Sequence, residues 1–236
     1  MASIKHIGVV IAISALLIAL SAWWVSERNQ PPELLLDETK SLEGPLTPEA
    51  ISQNNPTITN TMNRTATFKT NKGDIVLELF EDKMPITTGN FIKLAQEGYY
   101  NTTKFHRVID GFMIQGGDPN TKSTNVDSYG KGGPGYTIED EFVEGELLTN
   151  VRGTIAMANT GQPNSGGSQF FINTANNTGL DFDKEPFSSS HPVFGRVVDG
   201  MDVVDAINGV QTTGAPGDRP IEPVIITEIV ISEAGL

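Results

Sequence analysis

The chain has 236 residues, a length that fits one sizeable domain with extra segments or two small domains. Its 24 glycines and 14 prolines favour a turn-rich fold over a helix bundle. A formal net charge of −13 sets the surface against nucleic-acid phosphates, and the absence of cysteine removes disulfides, thiolate nucleophiles and zinc–cysteine sites.

Ile7 to Val25 is an uncharged run rich in Ile, Leu, Val and Ala. As a helix it spans roughly 28 Å, close to the thickness of a bilayer hydrocarbon core. Lys5 precedes it, and Trp23 and Trp24 mark its far end, where aromatic belts lie. The pattern predicts a membrane anchor through residues 7–25, with a cytoplasmic N-terminus and the remainder extracytoplasmic. The competing reading is a cleaved signal peptide, for which Ala19, Ser21 and Ala22 offer small residues, and which would leave a secreted protein. Residues 26–63 read as a linker: Pro31, Pro32, Pro45, Pro48 and Pro56 lie among polar residues, and only Leu34–Leu36 cluster apolar side chains. Such a composition buries too little surface to offset chain entropy.

From Arg64 the pattern changes. Thr65–Lys69 and Asp74–Leu79 alternate as strands do, around an Asn71-Lys72-Gly73 turn signal. Pro85 opens a helix to about Glu97, with apolar Phe91, Leu94 and Ala95 and a terminating Gly98. Short strands and turns follow, then a second helix over Met201–Ile207 ended by Asn208-Gly209, and a last strand over Val224–Ile231. Many short strands with two helices predict a closed β-barrel capped by helices.

Two segments carry most of the functional signal. One runs Phe105-His106-Arg107-Val108-Ile109-Asp110-Gly111-Phe112-Met113-Ile114-Gln115-Gly116-Gly117-Asp118. The other holds Met157-Ala158-Asn159-Thr160 and Asn164-Ser165-Gly166-Gly167-Ser168-Gln169-Phe170-Phe171-Ile172. Taken alone, Phe112, Met113 and Phe171 read as ordinary core, Gln169 as a strand residue, Asn159 as a turn former and His106 as structural. Arg107 resists that reading, because a guanidinium is seldom buried without a partner. If the strands bring Gln115 to the same face, it orients the Arg107 fork. An arginine beside aromatic and thioether groups puts a polar handle on an apolar slot, the usual form of a small-ligand pocket.

Both segments closely resemble the signature blocks of the cyclophilins, in the family's order and spacing. The match continues through Gly132-Gly133-Pro134-Gly135-Tyr136, Glu141-Phe142 and Pro192-Val193-Phe194-Gly195-Arg196-Val197, and covers about residues 65–233. The resemblance implies a mostly β fold, a closed eight-stranded antiparallel barrel capped by two α-helices, with the anchor helix before it. It implies peptidyl-prolyl cis/trans isomerisation without a cofactor, on proline-containing polypeptides; the soluble domain is expected to be a monomer. By position it makes Arg107 the donor to the twisted amide, supported by Gln115. Phe112, Met113, Phe171, Leu180 and His191 would hold the proline ring, and Ala158, Asn159, Thr160 and Gln169 the substrate chain. A proline-binding module without turnover is the alternative. Many eukaryotic members carry a tryptophan before the matching leucine, where this chain has Gly179; that departure weakens the expectation of cyclosporin binding.

Other signals carry less. Gly130 to Gly135 lacks the spacing of a phosphate loop and reads as a surface turn. Glu139-Asp140-Glu141 reads as a solvated acidic patch, and no histidine pair has metal-ligand spacing. Three Asn-X-Thr sequons, at Asn63, Asn101 and Asn176, matter only in a host that glycosylates exports.

Overall fold

The computed structural model describes residues 63–187 and 189–232. The expected anchor at 7–25, and the linker as far as residue 62, therefore lie outside the described residues. Among the described residues no helix is long and apolar enough to cross a membrane.

Nine strands form one antiparallel sheet: β1 (Thr65–Thr70), β2 (Gly73–Leu79), β3 (Thr103–Phe105), β4 (Arg107–Ile109), β5 (Met113–Gly116), β6 (Thr154–Met157), β7 (Phe170–Asn173), β8 (Val193–Asp199) and β9 (Val224–Ile231). Their order is β3-β9-β1-β2-β8-β6-β7-β5-β4. The barrel is nearly closed, and it has nine strands where eight were expected. The extra strand arises at His106. Residues 103–105 pair with β9, residues 107–109 pair with β5, and His106 between them gives its N–H to the Gln115 carbonyl at 2.9 Å. The two outer strands of the sheet are thus consecutive in the chain, and a single stretch turns the corner from one edge to the other.

The strand period decides what lies inside. Ala66 and Phe68 of β1, and Ile75, Leu77 and Leu79 of β2, alternate into the core and are fully buried. Phe68, Phe91, Tyr100, Phe105, Phe170 and Phe194 form its aromatic centre. Phe170 meets Phe68 edge-on at 5.4 Å and Phe91 edge-on at 5.9 Å. Such pairs add about 0.5–1.5 kcal/mol beyond area burial, and Phe170→Ala is expected to cost about 3–5 kcal/mol.

The first helix, α1 (Pro85–Gln96), inserts Phe91, Ile92, Leu94 and Ala95 into this core. It starts at a proline whose missing N–H costs nothing at a first-turn position. It ends in a Schellman motif: Gly98 at φ +68° gives its N–H to Ala95, and Tyr99 gives its N–H to Leu94. The second helix, α2 (Met201–Asn208), buries Val204 and Ile207 and packs on β2, β4 and β5. Both helices and the terminal strand stand where the sequence pattern puts them.

Candidate active site

Cross-strand register assembles the site. Arg107 on β4 lies opposite Gln115 on β5, Gln115 lies opposite Phe171 on β7, and Phe171 lies opposite Ala156 on β6. Directly opposed residues point to the same face, so Arg107, Gln115 and Phe171 form one row. Two positions along, Ile109 opposes Met113 and Met113 opposes Asn173, on that same face. The intervening row, Val108, Ile114, Ile172 and Ile155, is almost completely buried on the other face. Phe170 and Phe171 therefore part: Phe170 joins the aromatic core, and Phe171 lies beneath the site.

That row carries a chain of polar contacts. Arg107 Nη1 donates to Gln115 Oε1 at 3.4 Å, and Gln115 Nε2 donates to Gln169 Oε1 at 3.1 Å. Gln169 Nε2 in turn donates to the carbonyls of Gly132 (2.8 Å) and Gly130 (3.1 Å). No carboxylate lies within salt-bridge distance of Arg107 among the described residues. Its guanidinium is half-buried and holds donors in reserve, since Gln115 takes only one of five.

Around Arg107 lies a cavity of about 330 Å³ lined by Phe112, Met113, Gln115, Ala158, Asn159, Phe171, Leu180 and His191. Met113 and Phe171 are 1% and 5% exposed, so each is core on one side and cavity floor on the other. Both residues thus belong to the hydrophobic core and line the cavity at once. Phe112 is pinned at the β4–β5 turn, where its carbonyl accepts from Thr174 N–H (3.0 Å) and Asn177 Nδ2 (2.8 Å). His191 stands edge-on to Phe171 with ring centres 5.4 Å apart. Its Nδ1 lies 3.1 Å from the Met157 carbonyl, which accepts only, so Nδ1 carries a proton and Nε2 is free. Burial pushes this imidazole below its ordinary value of 6.5, against the weaker upward pull of that hydrogen bond.

Thr160 and Gln169 line a second hollow, of about 470 Å³, which shares Gln115, Ala158 and Asn159 with the first. The two adjoin, and together they bring in every candidate site residue. The Asn159 side chain is committed elsewhere: Nδ2 donates to the Ser190 carbonyl at 2.6 Å and Oδ1 accepts from Gly161 N–H at 3.0 Å. Its backbone N–H and C=O make no hydrogen bond among the described residues and remain available to a bound chain. Thr160 N–H is taken by Ser165 Oγ at 3.1 Å, so Thr160 borders the hollow without offering that donor.

Sequence reasoning missed the other wall. Gly130, Lys131, Gly132, Pro134 and Tyr136 face the second hollow, although the glycine-rich segment reads as a plain surface turn. The turn is held in place by buried groups. Asp118, fully buried, accepts from Gly130 N–H, and Gly132 passes so near Asp118 that a β-carbon there would collide with its carboxylate. A β-carbon at Gly130 would lie 3.6 Å from His106 Nε2. His106 is a structural support, as expected, and burial pushes its imidazole below 6.5 although Asp118 pulls the other way. Irregular segments have no period, so nothing in the sequence reports that this one faces Gln169. Glu141 is a correction of another kind. It is no solvated patch residue: its carboxylate accepts Ile86 N–H (3.1 Å) and Thr87 N–H (2.9 Å) at the start of α1. Among the described residues no three His, Asp or Glu side chains gather to hold a metal.

Residues 65–231 match the family model for cyclophilin type peptidyl-prolyl cis-trans isomerase. Peptidyl-prolyl cis-trans isomerase B of Escherichia coli is 47% identical over 172 residues, covering 71% of this chain and 99% of that protein. A peptidyl-prolyl cis-trans isomerase of Arabidopsis thaliana is 43% identical over 169 residues, covering 70% and 94%. Among solved structures, a Cryptosporidium parvum cyclophilin type isomerase is similar, with a TM-score of 0.61 and 34% identity over 72% of this chain and 98% of that one. A second structure of that protein, determined in the presence of the dipeptide Ala-Pro, gives a TM-score of 0.60.

Proposed function

This chain belongs to the cyclophilin family of peptidyl-prolyl cis-trans isomerases, and on that footing we propose that it speeds X-Pro exchange in exported polypeptides by stabilising the twisted amide without a covalent step. The reaction fits the chemistry available. Rotation about a prolyl amide destroys its resonance, at a barrier of about 18–20 kcal/mol, and proceeds unaided over roughly tens to hundreds of seconds. In the twisted state the proline nitrogen becomes pyramidal and gains a lone pair. A donor beside that nitrogen binds the twisted state more tightly than either planar isomer, which is catalysis by differential binding.

One observation carries the mechanism: a guanidinium with no carboxylate partner among the described residues, oriented by Gln115, at the edge of an apolar floor. Proline is a compact apolar ring joined to a polar amide. Phe112, Met113, Phe171, Leu180 and His191 take the ring, the Asn159 main chain pairs with the client backbone, and Arg107 reaches the nitrogen. Neutral His191 adds no charge to oppose Arg107. The structure of a family member with Ala-Pro supports proline-containing chains as the substrate class.

Export rests on residues 7–25, whose length and flanks are those of an anchor. Membrane fractionation and a mass measurement on the mature protein test it: an intact chain in the membrane fraction is expected, and loss of about the first 21 residues would contradict tethering. Exchange spectroscopy on an Ala-Pro peptide tests the chemistry, with line broadening of both isomers expected from the native chain and none beyond buffer if the reading fails.

A further inference from the structure

Beside the proline cavity lies a third hollow that the isomerase reading leaves without a role. Its volume is about 230 Å³, and its walls come from Phe142, Phe187, Asp140 and the Gly161–Pro163 turn. Asn159 lines it as well, and so joins all three hollows. The same Asn159 side chain that leaves its main chain free ties the two walls together, through Ser190 on one side and Gly161 on the other. The aromatic wall is built across two loops: Phe142 stacks on Phe182 with ring centres 5.4 Å apart.

 The rings lie 23° from parallel, a stacked pair; Phe142 is 36% exposed and Phe187 60% exposed. Large apolar side chains held open in a concavity mark a binding surface more often than an isolated exposed residue does.

We propose that this hollow is a client subsite for an aromatic or large aliphatic side chain within about three residues of the proline, given an extended rise of roughly 3.3 Å per residue. The proposal rests on the isomerase reading and extends it to sequence preference. Continuity argues for the same client chain as the occupant, because a segment paired with the Asn159 main chain borders both hollows. Size argues for a side chain, since the volume falls below the usual range for a whole small ligand. Charge argues against an acidic occupant: Asp140 lines the hollow, and Glu139, Glu141, Glu144 and Glu146 share its loop.

The test uses the full chain and peptides with an Ala-Pro core, carrying Ala, Phe or Glu at each of three positions on either side of the proline. At one position kcat/KM is expected to rank Phe above Ala above Glu, with Phe on the order of tenfold over Ala. In the doubly substituted Phe142→Ser, Phe187→Ser protein that ratio is expected to fall to about one. Phe187→Ser alone, at a side chain that is 60% exposed, is expected to lower it in part. Isomerisation of the Ala peptide with no Phe preference, or a preference unchanged in the variants, overturns the subsite while leaving the isomerase reading in place. Exchange of every peptide at the buffer rate overturns both.

Discussion

At Gln169 three hydrogen bonds meet, one from Gln115 and two to the carbonyls of Gly130 and Gly132. The residue acts on the reaction through Gln115 and Arg107, so it is a positioning residue. Gln169→Ala is expected to lower kcat about tenfold with little change in KM, equivalent to about 1.4 kcal/mol of lost transition-state stabilisation. An unchanged kcat with a raised KM would instead make it a binding residue. Buried His106 and half-buried His191 give a pH prediction. Both folded-state pKa values are depressed below 6.5, mainly by burial, so the unfolded chain holds protons more tightly. Stability is therefore full above about 6.5 and declines as pH falls below it. Melting temperature against pH checks this, and His106→Gln should flatten part of the decline.

Among the elements, α1 has no side-chain cap of its own: Met84 stands at the N-cap position, and Glu141 reaches in from a loop to take two first-turn N–H groups. A carboxylate there also meets the positive end of the helix dipole. Glu141→Ala is expected to cost about 1 kcal/mol and to lower Tm by about 2–4 °C, with Glu141→Gln recovering part of the loss. An unchanged Tm would show that water replaces the cap. The contact is invisible in sequence, because it joins residues more than fifty positions apart. The Arg107–Gln115 pairing was closer to legible. Asp110-Gly111 is a hairpin signal, and Gly111 sits at φ +65°. Folding the chain back at that turn sets Arg107 opposite Gln115 without help from any other element. The hairpin of β1 and β2, both helices and the last strand were readable for similar reasons: each carries its own period and its own punctuation.

For the molecule as a whole, the barrel class was readable, but the strand count was not. The break at His106 comes from the sheet turning back on itself, a property of closure and not of residues 103–109 taken alone. The same limit applied to the site. Arg107, Gln115 and Phe171 fall into one row because three strands agree in register, whereas the walls at Gly130–Pro134 and Phe142 belong to segments with no period. The apolar floor is also the barrel's own packing: Met113 and Phe171 serve both. The site should therefore remain formed when Arg107 is removed, which separates binding from turnover.

The most direct measurement compares the native chain with Arg107→Ala on one X-Pro peptide, recording both exchange rate and peptide affinity. The account predicts that kcat/KM falls on the order of 10²–10³-fold while Kd shifts by less than about tenfold, because the donor acts on the twisted amide and the floor still takes the ring. A variant that exchanges the peptide as fast as the native chain would contradict it, and would move the source of catalysis away from Arg107.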